Sequence, residues 1–520
     1  MNIDGDGQTQ PFDIAVIGGG INGCAIARDA AGRGLSVLLL EQGDLASATS
    51  SASSKLIHGG IRYLEHYDLK LVRESLKERD VILNIAPHIC RPMRFIFPHN
   101  PKMRPMWLIR LGLFLYDHLG GHEFRHSRRI PDFRDDPAGR LLKPEFTRAF
   151  EYADCWTDDS RLVILTARDA ADRGARILAR TRCTHAASTD GVWSLDAEEV
   201  STGQKHSFMA RQLVNATGPW ASAFLSRTLE ADFVNPVRAS TRNVKGSHLI
   251  VRKWFDHDHA YVLQNPDERI VFVLPFEDDY VLIGTTDVDY EGDPGRVQMS
   301  NEERRYLLDC VNDYFNREIP ESDIIGSVAG VRPLYKDGSS KPQETSRGSV
   351  LRYSTTRDGA GLLNVFGGKL TTHRKLAESA LHEIERHTDR MPPPWTSGSP
   401  LPGGDFKPSQ RSRLIAEYVP RFPFVPEDVL QRWFRSYGLE IEQILDGAGD
   451  DTALGHHFGA GLFEIEVRWM VDNEWARTSD DVLWRRSKLG LRADEIDLPA
   501  LEEWLEKYAT GHQDEQLATG

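Results

Sequence analysis

Near the N-terminus, apolar residues fall into two short runs on either side of a helical pattern. Phe12 to Ile17 is a short apolar run ending in glycines, Ile21 to Gly32 carries small and apolar residues at helical spacing, and Leu35 to Leu40 is a second run closed by Glu41. Strand, tight turn, helix and strand in that order predict a βαβ unit of about 30 residues. From Lys70 to Leu83, the positions Leu71, Val72, Leu76, Val81 and Leu83 sit among charges and predict a surface helix. Strand-like runs at Leu249 to Val251, Ile270 to Leu274 and Tyr280 to Ile283, separated by charged turns, predict a further sheet.

Between about Cys90 and Leu142 the pattern gives way to proline, arginine and aromatic residues, including the segment Met103 to Tyr116. Lys102 to Tyr116 mixes basic residues with Met106, Trp107, Leu108, Leu111, Phe114 and Leu115, the composition of a helix lying in a bilayer interface. After Trp395, the stretch Thr396 to Gly404 reads as a linker, and the charged, Trp-containing segment beyond it has a helical pattern.

A chain of 520 residues exceeds what one core usually organises and predicts two or three domains. The 63 Lys and Arg against 77 Asp and Glu give a net charge of −14, so no nucleic-acid partner is expected, and contact with anionic lipid would need a local patch. Cys24, Cys90, Cys155, Cys183 and Cys310 form no CxxC pair and read as reduced intracellular thiols. No His and carboxylate cluster has metal-ligand spacing, so no metal is expected. The first eleven residues lack the basic start and apolar run of a secretory signal, and no stretch approaches the roughly 20 apolar residues of a spanning helix. The expectation is a cytoplasmic protein that does not cross a membrane.

Gly18-Gly19-Gly20-Ile21-Asn22-Gly23 fits GxGxxG in its proper place, after a strand and opening a helix. The first glycine makes the turn, the second admits a diphosphate, and the third lets helix pack on strand. The helix N-terminus favours the anion. Glu41, at the end of the second strand, is placed to accept hydrogen bonds from ribose hydroxyls. The motif alone leaves NAD and FAD open, since both carry ADP.

The segment Ala48-Thr49-Ser50-Ser51-Ala52-Ser53-Ser54-Lys55-Leu56-Ile57-His58-Gly59-Gly60-Ile61-Arg62-Tyr63 resembles the flavin and substrate segment of the FAD-dependent, quinone-linked (aerobic) glycerol-3-phosphate dehydrogenase family. The resemblance recurs at Asn215 to Trp220, Lys245 to His248, Ile283 to Asp287, Gly330 to Leu334 and Phe366 to Thr372. It implies FAD as cofactor and oxidation of sn-glycerol 3-phosphate to dihydroxyacetone phosphate, with electrons passed to a membrane quinone. It implies an α/β (α+β) fold: a Rossmann-like FAD-binding domain with an interleaved β-sheet substrate domain and a C-terminal helical domain. The oxidoreductase would span 12–397, with FAD-binding parts near 12–90, 150–235 and 330–397 and substrate or cap parts near 91–149 and 236–329; the α-helical domain would span 405–520. Attachment would be peripheral, on the inner face of the cell membrane. The oligomeric state stays open, a homodimer being one candidate.

A phosphate ester calls for fixed cations, and arginine offers a planar, permanently charged fork. By resemblance, the substrate-binding candidates are Arg62, Tyr63, Arg332 and Lys369. Removal of a carbinol proton calls for a base, and His248 resembles the family's flavin-facing histidine, with His58 as the other candidate; Arg332 is the electrostatic catalytic candidate. The cofactor-binding candidates are Gly18, Gly20, Asn22, Gly23, Glu41, Thr49, Ser50, Ser54, Lys55, Ala216, Thr217, Gly218, Gly367, Gly368, Lys369, Leu370 and Thr371. His373 stands where related sequences often carry tyrosine, and Ser327-Val328-Ala329 before Gly330 is a second departure. Two other readings stay open: a flavin oxidase of the glycerol-3-phosphate or amino-acid type that reduces oxygen to peroxide, and a non-catalytic flavin-bearing membrane sensor.

Overall fold

The computed structural model describes residues 10–60, 69–99, 105–120, 127–130, 132–235, 241–267, 269–335 and 348–518. The strand Phe12–Ile17 runs parallel to Val37–Leu40 on one side and to Lys205–Asn215 on the other. Arg176–Leu178 extends the sheet beyond Val37–Leu40, and Gly361–Gly367 extends it beyond the far half of Lys205–Asn215. The central strands Phe12–Ile17 and Val37–Leu40 are buried on both faces over most of their length, so alternate side chains serve two cores. Ile14, Val16, Val37 and Leu39 pack under the helices Ile21–Gly32, Asp159–Asp172 and His373–Glu385. Ala15, Ile17, Leu38 and Leu40 pack instead with Trp193, Leu195 and Phe224, from the meander and short helix that cover the opposite face.

A second, mainly antiparallel sheet is organised around the strand Thr241–Arg252, which pairs with Tyr280–Gly284 on one edge and Ile324–Tyr335 on the other. The predicted runs at 249–251, 270–274 and 280–283 all fall within strands of this sheet. Thr241–Arg252 begins well before its apolar run because its polar residues find partners. Lys245 Nζ lies 2.6 Å from Glu303 Oε2, and Ser247 Oγ donates to Glu303 Oε1 over 2.9 Å. Glu303 also closes the capping box with Ser300 at the start of the helix Asn301–Tyr314, which covers one face of this sheet. The other face receives Val72 and Leu76 of the helix Leu69–Ile85, together with Leu113 and Tyr116 of the helix Met106–Leu119.

The C-terminal region is helical, as its pattern predicts, and has its own core around Trp433, Phe434, Tyr437, Met470 and Leu501. It is joined to the rest of the molecule by buried charge pairs. Arg161 Nη1 lies 2.5 Å from Glu474 Oε2, and both Arg161 Nε and Nη2 donate to the Ser436 carbonyl.

The stretch read as a linker is a packed strap. Trp395 lies against Gly32, where a Cβ would come within 2.0 Å of the indole, and it is flanked by the guanidinium groups of Arg28 and Arg173. Leu401 is buried and its N–H donates to the Ile85 carbonyl over 2.8 Å. The Gly and Pro content that marked the linker serves close backbone approach here, since Gly404 sits where a Cβ would meet Ile85 O at 2.6 Å.

Candidate functional site

The turn after the first strand is built by missing side chains. Gly18 has φ +114°, and a Cβ there would lie 2.5 Å from the Ala216 carbonyl oxygen; a Cβ at Gly23 would lie 1.9 Å from Gly18 O. The strand end Asn215–Ala216 and the helix start thereby close on one another, with Ala216 N–H donating to Ile17 O. Glu41 reaches into the same turn. Its Oε2 accepts from Gly19 N–H over 2.6 Å and its Oε1 from Gly43 N–H over 2.7 Å. Burial pushes its carboxyl up from the ordinary value, and the Gly43 and Gly19 N–H groups pull it back. Ser50 Oγ accepts from Ile21 N–H at the helix start over 3.0 Å.

The Thr49–Ser54 segment then crosses onto the second sheet. Thr49 Oγ1 donates to Val331 O over 2.6 Å, and Ala52 sits over Gly330, where a Cβ would approach it to 2.7 Å. Gly330 stands opposite Gly246 in the strand register, and His248 stands opposite Gly284. Each glycine clears room for a larger neighbour. The Arg332 guanidinium lies over Gly246, and the His248 ring lies over Gly284.

Arg332 Nη1 donates to Asp287 Oδ1 over 2.8 Å and Nη2 to Thr285 Oγ1 over 2.9 Å, while 24% of its side chain stays exposed. His248 is fully buried, with Nε2 2.9 Å from Ser54 Oγ. Burial, then the charges of Arg332 and Lys55, push its pKa down to about 3, so the imidazole is neutral. The Lys55 ammonium is itself buried against Asp159 at 2.6 Å, a position that braces the segment. Ser53 Oγ donates to the same carboxylate over 2.7 Å.

The turn Gly367–Thr372 joins the two halves. Asn22 Nδ2 donates to Gly367 O over 3.1 Å, Gly368 (φ +97°) packs on Asn22, and Thr371 Oγ1 accepts from His58 N–H over 3.2 Å. Lys369 and Leu370 lie half-buried between these ties. Thr217 Oγ1 donates to Asn215 Oδ1 over 2.7 Å, and Gly218 turns the chain at φ +56°. The structure therefore gathers the two strand ends, the Thr49–His58 segment, His248, Arg332 and the Gly367–Thr372 turn around one region. Arg62 and Tyr63 lie outside the described residues.

Sequence reasoning missed the supports of this region. Asp159 carries Lys55 and Ser53, and only a helix-start pattern at Asp158-Asp159-Ser160 marks it in the sequence. Gly59 N–H donates to the Tyr116 hydroxyl over 2.8 Å; that hydroxyl donates to Asp154, which also receives Arg79 Nη1 over 3.0 Å. No local motif links these residues.

Comparison with known proteins gives matches over most of the chain. A family model described as FAD dependent oxidoreductase matches residues 13–374, and a model of the C-terminal domain of alpha-glycerophosphate oxidase matches residues 395–511. The aerobic glycerol-3-phosphate dehydrogenase of Escherichia coli (strain K12) is 47% identical over 496 residues, covering 95% of this chain and 97% of that protein. The D-erythritol 1-phosphate dehydrogenase of Brucella abortus (strain 2308) is 45% identical over 504 residues, covering 96% and 98%. The structure of the Bacillus halodurans glycerol-3-phosphate dehydrogenase complexed with FAD superposes with a TM-score of 0.77 at 25% identity, covering 97% of this chain and 92% of that one.

The buried histidines set an acid limit on stability. His248 is pushed down to about 3 and His373 to about 4, in both cases chiefly by burial. Below the ordinary histidine pKa of about 6.5, the unfolded chain binds protons that the fold refuses, so stability is intact above that pH and falls as the pH drops toward the folded values. Urea unfolding between pH 6.5 and 4.5 should show this loss. In His248→Asn its slope should be shallower by up to about 1.4 kcal/mol per pH unit; an unchanged slope would mean that His248 is not held neutral.

Proposed function

The chain belongs to the family of FAD-dependent oxidoreductases that includes the glycerol-3-phosphate dehydrogenases, and from that premise we propose that it oxidises sn-glycerol 3-phosphate to dihydroxyacetone phosphate and delivers the electrons to a membrane quinone. One observation carries the substrate reading: a partly exposed arginine and a fully buried histidine stand side by side on a sheet face cleared by Gly246 and Gly284.

FAD fits the residues present. Gly18 and Gly23 leave no room for a side chain where a diphosphate would meet the helix start, and Asn22 Oδ1 and His248 Nδ1 are buried without a hydrogen-bond partner among the described residues. In this reading Gly18, Gly20, Asn22 and Gly23 hold the diphosphate and Glu41 the ribose. Thr49, Ser50, Ser54, Ala216 to Gly218 and Gly367 to Thr371 surround the flavin. Bound FAD supplies the acceptor for the hydride that leaves C2 of the alcohol.

The protein's part is to bind the phosphate, orient C2 and take the hydroxyl proton. Arg332, held in plane by Asp287 and Thr285, receives phosphate oxygens, assisted by Lys369 and by Arg62 and Tyr63. His248 takes the proton. Arg332 is one of the charges that depress its basicity, so a phosphate dianion beside Arg332 offsets that charge and makes the imidazole a better acceptor when substrate is present. His58, tied to Thr371, is the alternative acceptor.

Peripheral attachment is supported by the helix Met106–Leu119, part of the segment read as interfacial; Lys102 to Arg104 lie outside the described residues. Leu113 and Tyr116 turn inward, whereas Trp107 is 68% and Phe114 56% exposed, alongside exposed Leu108, Leu111 and Leu115. Among the described residues, no helix is long and apolar enough to cross a membrane. We read this outward apolar stripe, with Arg110 on it, as the contact with the inner leaflet.

The likeness to the Brucella protein favours a second reading, a four-carbon polyol phosphate as substrate. Under nitrogen, glycerol 3-phosphate should bleach the flavin absorbance faster than D-erythritol 1-phosphate, and unphosphorylated glycerol should leave it unchanged; the reverse order of the two phosphates would transfer the substrate assignment. A larger loss of kcat in His58→Asn than in His248→Asn would transfer the proton to His58. Arg332→Lys should lower kcat/KM by about 5- to 150-fold, equivalent to losing about 1–3 kcal/mol of charge-assisted hydrogen bonding, mostly through KM. Trp107→Glu should reduce cosedimentation with anionic vesicles, and parental partitioning would discard this helix as the anchor.

A further inference from the structure

The C-terminal region reaches into the dinucleotide half through the segment Asp481–Leu491. Arg485 Nε donates to Asp44 Oδ2 over 2.6 Å, Arg486 Nη2 donates to Asp44 Oδ1 over 2.9 Å, and Arg486 Nη1 also reaches Oδ2. The grip is buried, with side-chain exposures of 0% for Arg486 and 2% for Asp44. Asp481 receives Arg485 Nη2 over 2.5 Å and also pairs with Arg180. The backbone of Arg180 and Thr181 in turn hydrogen-bonds Gly43 O and Glu41 O over 2.8 and 2.7 Å.

Asp44 belongs to the loop that leads from Glu41 back to the glycine turn. Gly43 N–H donates to Glu41, Ser47 N–H donates to Asp44 O over 3.1 Å, and Ala46 N–H donates to Gly19 O over 3.2 Å. The loop's shape therefore sets where the Glu41 carboxylate stands. Asp44 has an electrostatic effect as well, since its negative charge opposes ionisation of Glu41. Two adjacent arginines neutralise it at its buried side.

We propose that Arg485 and Arg486 are positioning residues for the cofactor: by gripping Asp44 they fix the loop from Glu41 to Ser47 in the form that receives the adenosine ribose, so that the C-terminal region governs how tightly FAD is kept. The proposal rests on the reading of Glu41 as the ribose partner. The helical C-terminal region then acts on the cofactor through the Asp44 loop.

The test measures FAD release from purified holoenzyme, followed as the rise of free-flavin fluorescence on dilution, at a temperature well below the melting of every variant. Arg485→Gln leaves Arg486 on Asp44, and Asp44→Asn keeps the side chain's size while removing the charge that both arginines grip; each loosens the loop and should release FAD at least about fivefold faster than the parent. Arg168→Met is the comparison, because it breaks another buried pair to the C-terminal region, with Glu440 at 3.0 Å, away from the loop. It should release FAD at the parental rate. Parental release in both Arg485→Gln and Asp44→Asn would overturn the proposal, as would equal acceleration in Arg168→Met. Glu41→Gln separates the clamp from its premise. If it too releases FAD faster while the Asp44 and Arg485 variants do not, the clamp alone is wrong; if it releases at the parental rate, the ribose assignment falls and the proposal with it.

Discussion

The site exists because backbone occupies places where side chains ordinarily stand. At Gly18 and Gly23 the clearance lets a strand end, a helix start and the Ala216 carbonyl meet within contact distance. At Gly246, Gly284 and Gly330 it lets an arginine, a histidine and the Thr49–Ser54 segment lie flat on the second sheet. A Cβ at Gly18 or Gly23 would need opposing backbone to move, at Gly284 the buried His248 ring, at Gly330 the Ala52 segment and at Gly246 the Arg332 guanidinium; overpacking of this kind costs on the order of 1–3 kcal/mol where relaxation is possible and more where it is not.

Burial of charge is the second condition on this architecture. Lys55 with Asp159, Arg161 with Glu474, and Arg486 with Asp44 are each removed from solvent, and each would be costly if one partner were lost. Such pairs contribute modestly to net stability but strongly to position. Each fixes a different piece: one braces the segment that carries Ser54, one ties the C-terminal region to the helix Asp159–Asp172, and one grips the loop after Glu41. His248 shows the opposite solution, a titratable group kept neutral in the same environment by burial and nearby cations.

Much of this was legible from the amino-acid order. The βαβ unit was readable because periodicity, glycine spacing and the terminal glutamate agree with one another, and the structure puts strand and helix at Phe12–Ile17 and Ile21–Gly32. The strands of the second sheet were readable only in their apolar stretches, since Lys245, Ser247 and His248 are polar residues buried by partners distant in sequence. The same limit hid Asp159, Tyr116 and Asp154, whose importance lies in which distant group each one meets. The packing of the linker after Trp395 was hidden for a related reason: Gly and Pro mark both loose connections and close packing, and only the tertiary partners, such as Ile85 against Leu401 and Gly404, distinguish the two.

The wide sequence separation of the pieces around the glycine turn bears on how the protein is made. Ala216 closes the turn, Gly367 meets Asn22, and Arg486 meets Asp44 across 442 positions. A nascent chain still on the ribosome with Asp481 not yet synthesised therefore has its first strand and helix but lacks the arginines that meet the Glu41 loop. Local contacts can form early, whereas the Arg486–Asp44 grip must await nearly complete synthesis and long-range loop closure, so it belongs to the last stage of folding.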